Sequence, residues 1–328
     1  MNTVEVLPTQ RVGAIVEAPA ENRWLVNSLC AASTVLVLGG APKSAKTWMG
    51  LELAVSIASA TACLGCFPVE HAGPVLAYLA EDSLEMARQR VAGICRARAV
   101  AFDTLELHLI TAPSLRLDVP ADLERLDATV EALAPRLLLL DPMVRLHTAN
   151  ENDSRDISLL LHGLRTLQRR HNLTIVLAHH ARKNGGSSNG LSLRGSSDIY
   201  AWLDTFIHLQ RRDDNRFLLQ VEHRFDRAPE PLSLRLVSQE DGSSTRLEID
   251  DDSEAPRERR SPIRLADRLI KELRAAPQPL TRTALREQLK VNNARLGDSL
   301  EELAEQGRIT RSTHGWELQA ERSVPANP

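Results

Sequence analysis

The sequence is poor in aromatic side chains, in cysteines and in long apolar runs, and each shortage excludes a class of protein. Aromatic residues make up 3% of the 328 residues, which leaves little material for a nucleic-acid surface built from stacked rings. Four cysteines do not form a disulfide framework in a chain of this length, and Cys63 and Cys66 have no second pair or flanking histidine to complete a zinc site. No uncharged apolar run reaches the roughly 18 to 20 residues of a membrane span, and the start of the chain lacks a signal-peptide pattern. We therefore expect a cytoplasmic protein with no membrane partner.

The remaining composition is that of an ordinary globular protein with room for two domains, since 43% of residues are hydrophobic and 25% are charged. The formal net charge is −3, but residues 257–328 carry 14 Lys or Arg against 10 Asp or Glu, a local excess of +4. A polar, acidic stretch separates this basic end from the rest of the chain. We therefore predict an N-terminal segment over 1–30, a main domain over 31–238, an acidic linker over 239–260, a small domain over 261–318 and a disordered tail over 319–328.

Within the main domain, short apolar runs alternate with longer amphipathic segments, which is the pattern of strands and crossover helices in a parallel sheet. The predicted strands are 34–38, 74–80, 107–111, 136–141, 173–179 and 205–210, followed by two alternating segments, 216–222 and 232–237, that we expect to finish the sheet in antiparallel order. The predicted helices are 46–60, 83–98, 121–134 and 154–171. The fold class is therefore α/β, with a mainly parallel sheet flanked by helices.

The small domain has a different pattern, which predicts a winged helix-turn-helix. Helices are expected at 262–275, 281–289 and 293–306, followed by a two-stranded hairpin over 308–318. Candidate DNA contacts lie where the third helix begins: Lys290, Asn292, Asn293 and Arg295. The rest of that helix is acidic, so both a DNA-binding and a protein-binding role remain open.

The strongest motif lies between the first predicted strand and the first predicted helix. The candidate nucleotide-binding residues are Gly40, Ala41, Pro42, Lys43, Ser44, Ala45, Lys46, Thr47 and Trp48. In such a loop, backbone N–H groups and the helix N-terminus bind phosphates, Lys46 reaches the β- and γ-phosphate oxygens, and the Thr47 hydroxyl can bind Mg²⁺. Ala45 stands where this pattern has glycine and costs about 1 kcal/mol if the position needs a positive φ. A structural turn before a helix is the alternative.

Acidic residues and histidines follow three other predicted strands. Asp141 ends one strand and is a candidate Mg²⁺ ligand, because ligands of such sheets bind at the carboxyl ends of the strands. Glu81 follows another and is the candidate base that deprotonates the attacking water, while Asp82 is expected to cap the next helix or to support the metal. A third strand ends in His179 and His180, polar groups that could sense the γ-phosphate, and we take His179 as the candidate; a buried, hydrogen-bonded histidine is the alternative.

The order of these motifs resembles that of the RecA-like ATPases of the plasmid RepA replicative-helicase group, and more distantly the DnaB-type helicases, the RadA recombinases and the KaiC ATPases. The resemblance rests on Gly40 to Thr47, Tyr78 to Asp82, Leu140 to Pro142 and Ala178 to Lys183, and it covers about residues 20–238. It implies a RecA-like P-loop ATPase that uses ATP and Mg²⁺. It also implies a ring of subunits, usually a hexamer, with ATP at the interfaces.

The resemblance also implies that an arginine of a neighbouring subunit completes each site. Arg224 matches the arginine of a Lys-x-Arg pair at the end of a late strand, although Glu222 occupies the lysine position. Arg194 is the second candidate. It follows a Gly/Ser-rich stretch, 183–190, which resembles a mobile loop that lines a DNA channel and makes Lys183 a candidate DNA contact.

The motifs predict a Mg²⁺-dependent ATPase. The resemblance implies that it forms a ring and acts on single-stranded DNA inside that ring, while the winged helix is a candidate site for duplex DNA. A replicative helicase or helicase-like motor is the main hypothesis. The alternatives are a RadA-like recombination mediator and a nucleotide-switched regulator without motor activity. Ala45 and Glu222 favour the regulator, because both could slow turnover.

Overall fold

A computed structural model describes residues 7–15, 23–148, 154–180, 197–213, 215–239, 244–250, 269–270, 272–274, 276, 278–289, 293–305, 307–312 and 315–318. The chain divides into two compact units, residues 1–250 and 251–328. In the described part of the chain, no helix is long and apolar enough to cross a membrane. The predicted disordered tail lies outside the described residues.

The first unit is a nine-stranded mixed sheet preceded by a small hairpin. The hairpin consists of β1 (Trp24–Val26) and β2 (Cys30–Ala31). The strands of the large sheet are β3 (Val35–Gly40), β4 (Val75–Leu79), β5 (Leu107–Leu109), β6 (Leu137–Asp141), β7 (Thr174–His180), β8 (Thr205–Arg211), β9 (Arg216–His223), β10 (Leu232–Ser238) and β11 (Thr245–Ile249). Their order across the sheet is β11-β10-β9-β8-β3-β7-β6-β4-β5.

Six of these strands, β8, β3, β7, β6, β4 and β5, are parallel, whereas β9, β10 and β11 add on as an antiparallel edge. The central parallel strands, β3, β4, β6 and β7, are mostly apolar runs because both of their faces are covered. The carboxyl ends of β3, β4, β6 and β7 therefore meet at one edge of the sheet, which is where ligands bind in open α/β folds.

Helices cover both faces of the sheet. They are α1 (Lys46–Ser59), α2 (Leu84–Ala97), α3 (Pro120–Leu133), α4 (Ser154–His171) and the short α5 (Ser197–Trp202). Side chains of α1 and α2 pack in the core on one face, and those of α3, α4 and α5 pack in the core on the other. Helix α1 lies so close to β6 that a Cβ on Gly50 would be 3.0 Å from Leu139.

The structure corrects the predicted boundaries at both ends of the main domain. Residues 24–30, placed in an N-terminal segment, form the β1–β2 hairpin together with Ala31, and the apolar side chains of this hairpin belong to the main core. Residues 245–249, placed in an acidic linker, form β11, which pairs with β10 from Leu234↔Ile249 to Ser238↔Thr245. The physical reason is that Leu247 is buried in the core while its neighbours are only partly covered, a weak alternation that the flanking acidic residues mask.

The second unit contains a small core of its own. Its helices include α6 (Arg282–Leu289) and α7 (Asn293–Glu305), and residues 269–270 and 272–274 are also helical. Strands β12 (Ile309–Ser312) and β13 (Gly315–Leu318) form an antiparallel hairpin. The buried residues at the centre of this unit are Leu269, Leu273, Leu285, Leu289, Leu296, Leu300, Leu303 and Ile309.

Candidate functional site

The phosphate-binding motif forms a tight loop between β3 and α1. A Cβ on Gly40 would lie 2.3 Å from the Ser44 Oγ and 2.4 Å from the Leu209 carbonyl oxygen, so only glycine fits there. Lys43 and Ala45 both have left-handed backbones, with φ of 63° and 66°. Ala45 therefore meets the condition, a positive φ, under which its Cβ carries a conformational cost.

Lys46 is buried at the first position of α1, with its ammonium group inside the loop. Its Nζ donates hydrogen bonds to the carbonyl oxygens of Gly40, at 3.0 Å, and Ala41, at 2.8 Å. Burial lowers the pKa of Lys46 to about 8, although Asp141 and Glu81 act in the opposite direction. A buried cation with this lowered pKa is stabilised by any anion that enters, which is what a phosphate-binding lysine requires.

Asp141 ends β6 beside the loop and is almost completely buried. The Thr47 hydroxyl lies beside its carboxylate. Burial raises the pKa of Asp141, while the neighbouring Thr47 hydroxyl and the charge of Lys46 lower it. The structure thus brings together the two predicted Mg²⁺ ligands, and a hydroxyl next to a carboxylate supplies the hard oxygen ligands that this ion prefers.

Glu81 lies in the lining of the same pocket, two residues after β4 ends. Its Oε1 accepts a hydrogen bond from the Arg145 Nε at 2.9 Å. Of the two candidate caps, Ser83 and not Asp82 caps α2, by accepting from the Met86 N–H at 3.1 Å, and the alternative role of Asp82, support of the metal, stays a prediction. Asp82 instead pairs with Arg90 of α2, because its carboxylate is turned toward that helix.

The two histidines that end β7 point to opposite faces of the sheet. His180 continues the alternation of Val176 and Ala178, on the α1 face, and lines the pocket. His179 continues the alternation of Ile175 and Leu177, on the other face, and is 1% exposed. The structure therefore places His180, and not the predicted His179, beside the phosphate loop, because strand alternation decides which of two consecutive side chains faces the site.

The pocket has a volume of about 380 Å³, within the usual range of small-molecule sites. Its walls include residues that the sequence did not single out: Arg90, Arg211, Phe217 and Leu236. The Arg90 guanidinium lies 5.3 Å from the centre of the Trp48 ring. Phe217 lies near the start of β9, opposite Arg211 at the end of β8, because the two strands are antiparallel. Pairing the two predicted strands as a hairpin would have placed Phe217 at this edge of the sheet.

Arg224 and Glu222 lie at the opposite edge of the sheet from this pocket. There, Tyr200, Ala201, Leu203, Glu222, His223 and Arg224 line a second cavity of about 250 Å³. The Tyr200 hydroxyl donates to the Glu222 Oε2 at 3.0 Å. Arg224 lies 3.7 Å from Asp204 and donates to the Ala201 carbonyl oxygen. The structure does not bring Arg224 to the pocket of its own chain.

The structure describes only some of the remaining predicted site residues. Lys183, Arg194, Lys290 and Asn292 lie outside the described residues. Asn293 and Arg295 lie in the first turn of α7, without a described side-chain position.

Comparison with known proteins identifies the fold. A family model described as an AAA domain matches residues 2–186. The crystal structure of the RadB recombinase is 14% identical, with a TM-score of 0.50 over 67% of this chain and 93% of that chain. A DnaB-like replicative helicase, whose structure also describes its interactions with primase, is 14% identical in sequence. Its TM-score is 0.51, over 67% of this chain and 58% of that chain. No curated protein matches the sequence. The chain has the RecA-like P-loop ATPase fold.

Proposed function

This chain belongs to the AAA-domain family, and from that premise we propose that it is a Mg²⁺-dependent ATPase that acts on DNA. One observation carries the proposal: Lys46, Thr47, Asp141 and Glu81 come from three separate segments and converge on one pocket at the carboxyl edge of the sheet. A purely structural turn before α1 would not need two carboxylates and a buried lysine around an open cavity. The arrangement has the parts of a phosphoryl-transfer site.

Each residue has a role that follows from its position. Lys46 would exchange its two carbonyl partners for the β- and γ-phosphate oxygens of ATP. Thr47 and Asp141 would hold Mg²⁺, which when bound neutralises negative charge on the phosphate oxygens. Glu81 would accept a proton from the water that attacks the γ-phosphate. His180 lies next to the loop, where it would detect loss of the γ-phosphate.

The position of Arg224 supports a role between subunits. An arginine at the edge of the sheet opposite to its own pocket can reach a nucleotide only in another copy of the chain. We therefore include a homo-oligomeric ring, with a hexamer as the expected size, in the proposal. Arg194 remains the alternative source of this arginine.

The DNA-related part of the proposal draws on family likeness and on the second unit. The two structural neighbours are titled as a recombinase and as a replicative helicase. In the second unit, α6, α7 and the β12–β13 hairpin follow the element order of a winged helix-turn-helix. A RepA-like replicative helicase, with single-stranded DNA in the ring and DNA or a protein at the winged helix, is the specific form that we propose.

Two observations favour a second function, a nucleotide-switched regulator without motor activity. The left-handed Ala45 carries a Cβ where glycine would be unstrained. Glu222, at the position where the resemblance has a lysine, binds the Tyr200 hydroxyl. Both features would slow hydrolysis without preventing nucleotide binding.

The test is ATP hydrolysis with and without single-stranded DNA, combined with oligomer size by light scattering in the same samples. The native chain is compared with Lys46→Ala, Glu81→Gln and a surface control, Arg125→Ala, whose side chain pairs with Asp122 on α3. Hydrolysis that DNA stimulates, that both site variants lose and that the control keeps, in a ring-sized species, supports the motor. Tight nucleotide binding without DNA-stimulated hydrolysis supports the regulator, and DNA-bound filaments support a recombination mediator.

Mixing variants tests the role of Arg224. Lys46→Ala and Arg224→Ala subunits are each expected to be inactive alone. In a mixed ring, an intact pocket of one variant can meet an intact arginine of the other, so partial activity should return. No recovery in rings that exchange subunits would contradict a contribution between subunits.

A further inference from the structure

Glu81 lies in the lining of the pocket, with a side chain that solvent reaches. It follows β4 by two residues and 49% of its side-chain surface is exposed. A glutamate has three side-chain torsions, and an exposed one samples many rotamers. A base that must meet a single water molecule works best if its orientation is set in advance.

Arg145 restricts that freedom from a different segment of the chain. Its Nε donates to the Glu81 Oε1 at 2.9 Å. The bond uses one carboxylate oxygen and leaves the other, Oε2, to accept a proton. Arg145 is outside the lining of the pocket, so its contact is with the carboxylate and not with the space that a nucleotide would fill.

The backbone that carries Arg145 is itself fixed. A short 3₁₀ helix, Met143–Arg145, follows Asp141 after one intervening residue, Pro142. The Arg116 guanidinium donates to the carbonyl oxygens of Arg145, at 2.9 Å, and His147, at 3.1 Å. The Leu117 N–H donates to the Leu146 carbonyl oxygen at 2.7 Å. The partner of Glu81 therefore projects from a held turn that begins two residues after the proposed Mg²⁺ ligand, Asp141.

The neighbouring carboxylate has a different partner. Asp82 pairs with Arg90 of α2 at 2.5 Å, and this arginine lies against Trp48. The two consecutive acids are thus divided between two arginines on separate elements. Asp82 does not compete for Arg145, and the Glu81 carboxylate keeps one defined contact.

We infer that Arg145 is a positioning residue, which holds the Glu81 carboxylate in the orientation that accepts the proton of the attacking water. The inference rests on the proposed function, because it requires Glu81 to be the base. Arg145 and Glu81 are both about half exposed, and pairs of this kind add little to stability. Loss of Arg145 should therefore change turnover and leave the fold intact.

The test measures steady-state ATP hydrolysis by Arg145→Ala in the full chain, with saturating Mg²⁺. We expect kcat to fall about tenfold, which corresponds to about 1.4 kcal/mol, while KM for ATP stays within about twofold. Arg145→Lys should keep part of the activity, and added guanidinium ion should partly restore Arg145→Ala. Arg125→Ala, which removes an exposed, paired arginine from α3, should match the native chain.

A double variant separates this inference from the proposed function. In Glu81→Gln, removing Arg145 should cause no further loss, because there is no base left to orient. If Glu81→Gln keeps native kcat, the assignment of the base is wrong and the proposed chemistry fails with it. If Glu81→Gln is inactive but Arg145→Ala keeps or exceeds native kcat, only the positioning role is overturned. A rise in KM with kcat unchanged also overturns it, since Arg145 would then act in nucleotide binding.

Discussion

Replacement of Arg98 by alanine should destabilise the first unit strongly, and more so at high pH. Arg98 follows the last turn of α2 and donates to the Glu52 Oε2 at 3.1 Å, the Ser56 Oγ at 2.8 Å and the Thr61 Oγ1 at 2.7 Å. Glu52 lies in the middle of α1 with its side chain 1% exposed. The substitution would therefore leave a buried carboxylate without its cation.

The magnitude follows from the burial of Glu52. Removing one partner of a buried ion pair typically costs about 3–5 kcal/mol. Burial raises the pKa of Glu52 to about 7, and Arg98 limits that rise. The native state therefore binds the Glu52 proton more tightly than the unfolded state does, and stability falls as pH rises from 4.5, the value of an unperturbed glutamate, to about 7. Near pH 5 Glu52 is protonated in both proteins, so the loss caused by Arg98→Ala is smaller there than at pH 8.

The assay is urea unfolding at pH 5.5 and pH 8, followed by tryptophan fluorescence, with thermal unfolding as a second measure. At pH 8 we expect a loss of about 3–5 kcal/mol, which for a unit of this size lowers the thermal midpoint by about 10 °C. Glu52→Gln in the Arg98→Ala background should recover part of the loss, because no charge remains buried. A loss below about 1 kcal/mol, or one of equal size at both pH values, would refute the reasoning.

Three further predictions concern the pocket. Lys46→Met should bind a fluorescent ATP analogue at least tenfold more weakly. Because the pKa of Lys46 is lowered in the native state, the nucleotide-free native protein should gain stability between about pH 8 and pH 10.5, and Lys46→Met should lack this gain. A native chain without the gain would contradict the burial of a charged Lys46. Thr47→Val and Asp141→Asn should weaken the Mg²⁺ dependence of nucleotide binding in a Mg²⁺ titration, whereas Asp122→Asn, on α3, should leave it unchanged. His180→Ala should lower ATP turnover with little effect on stability, because His180 lines the pocket. His179→Ala should mainly lower the melting temperature, because His179 is buried. The reverse pattern would show that strand alternation does not decide their roles.

The sequence predicts the parallel part of the fold well because that part follows from local patterns. Strands β3, β4, β6 and β7 are buried on both faces, so each is a continuous apolar run, and the observed ends lie within two residues of the predicted ones. The phosphate loop is equally local, since its glycine, lysine and threonine must be consecutive along the chain. Periodicity and turn chemistry are sufficient for elements of this kind.

Features that depend on partners distant in sequence were not predictable. Nothing in the sequence distinguishes Arg90, Arg98 and Arg145 from other arginines. Only the fold shows that each of them pairs with an acidic residue. His179 and His180 are chemically identical, and the choice between them depends on the register of β7, which an error of one residue reverses. Glu52 is a charged residue in an apolar helix, where nothing in the sequence indicates that a cation 46 positions later covers it.

The last strand, β11, illustrates why a polar composition does not establish a linker. Its buried side chain is Leu247, whose backbone N–H lies near the Glu52 carboxylate of α1. Asp250, which follows the strand and is fully buried, lies 3.3 Å from the Arg216 Nε of β9. A Cβ on Gly93 of α2 would approach the backbone of Ser244 and Thr245 to 3.2–3.3 Å, so this helix packs directly on the start of the strand. Acidic residues at β11 therefore help to bind this strand to the rest of the sheet. The strand packs against both α1 and α2, and α1 is the helix that begins at Lys46 and Thr47.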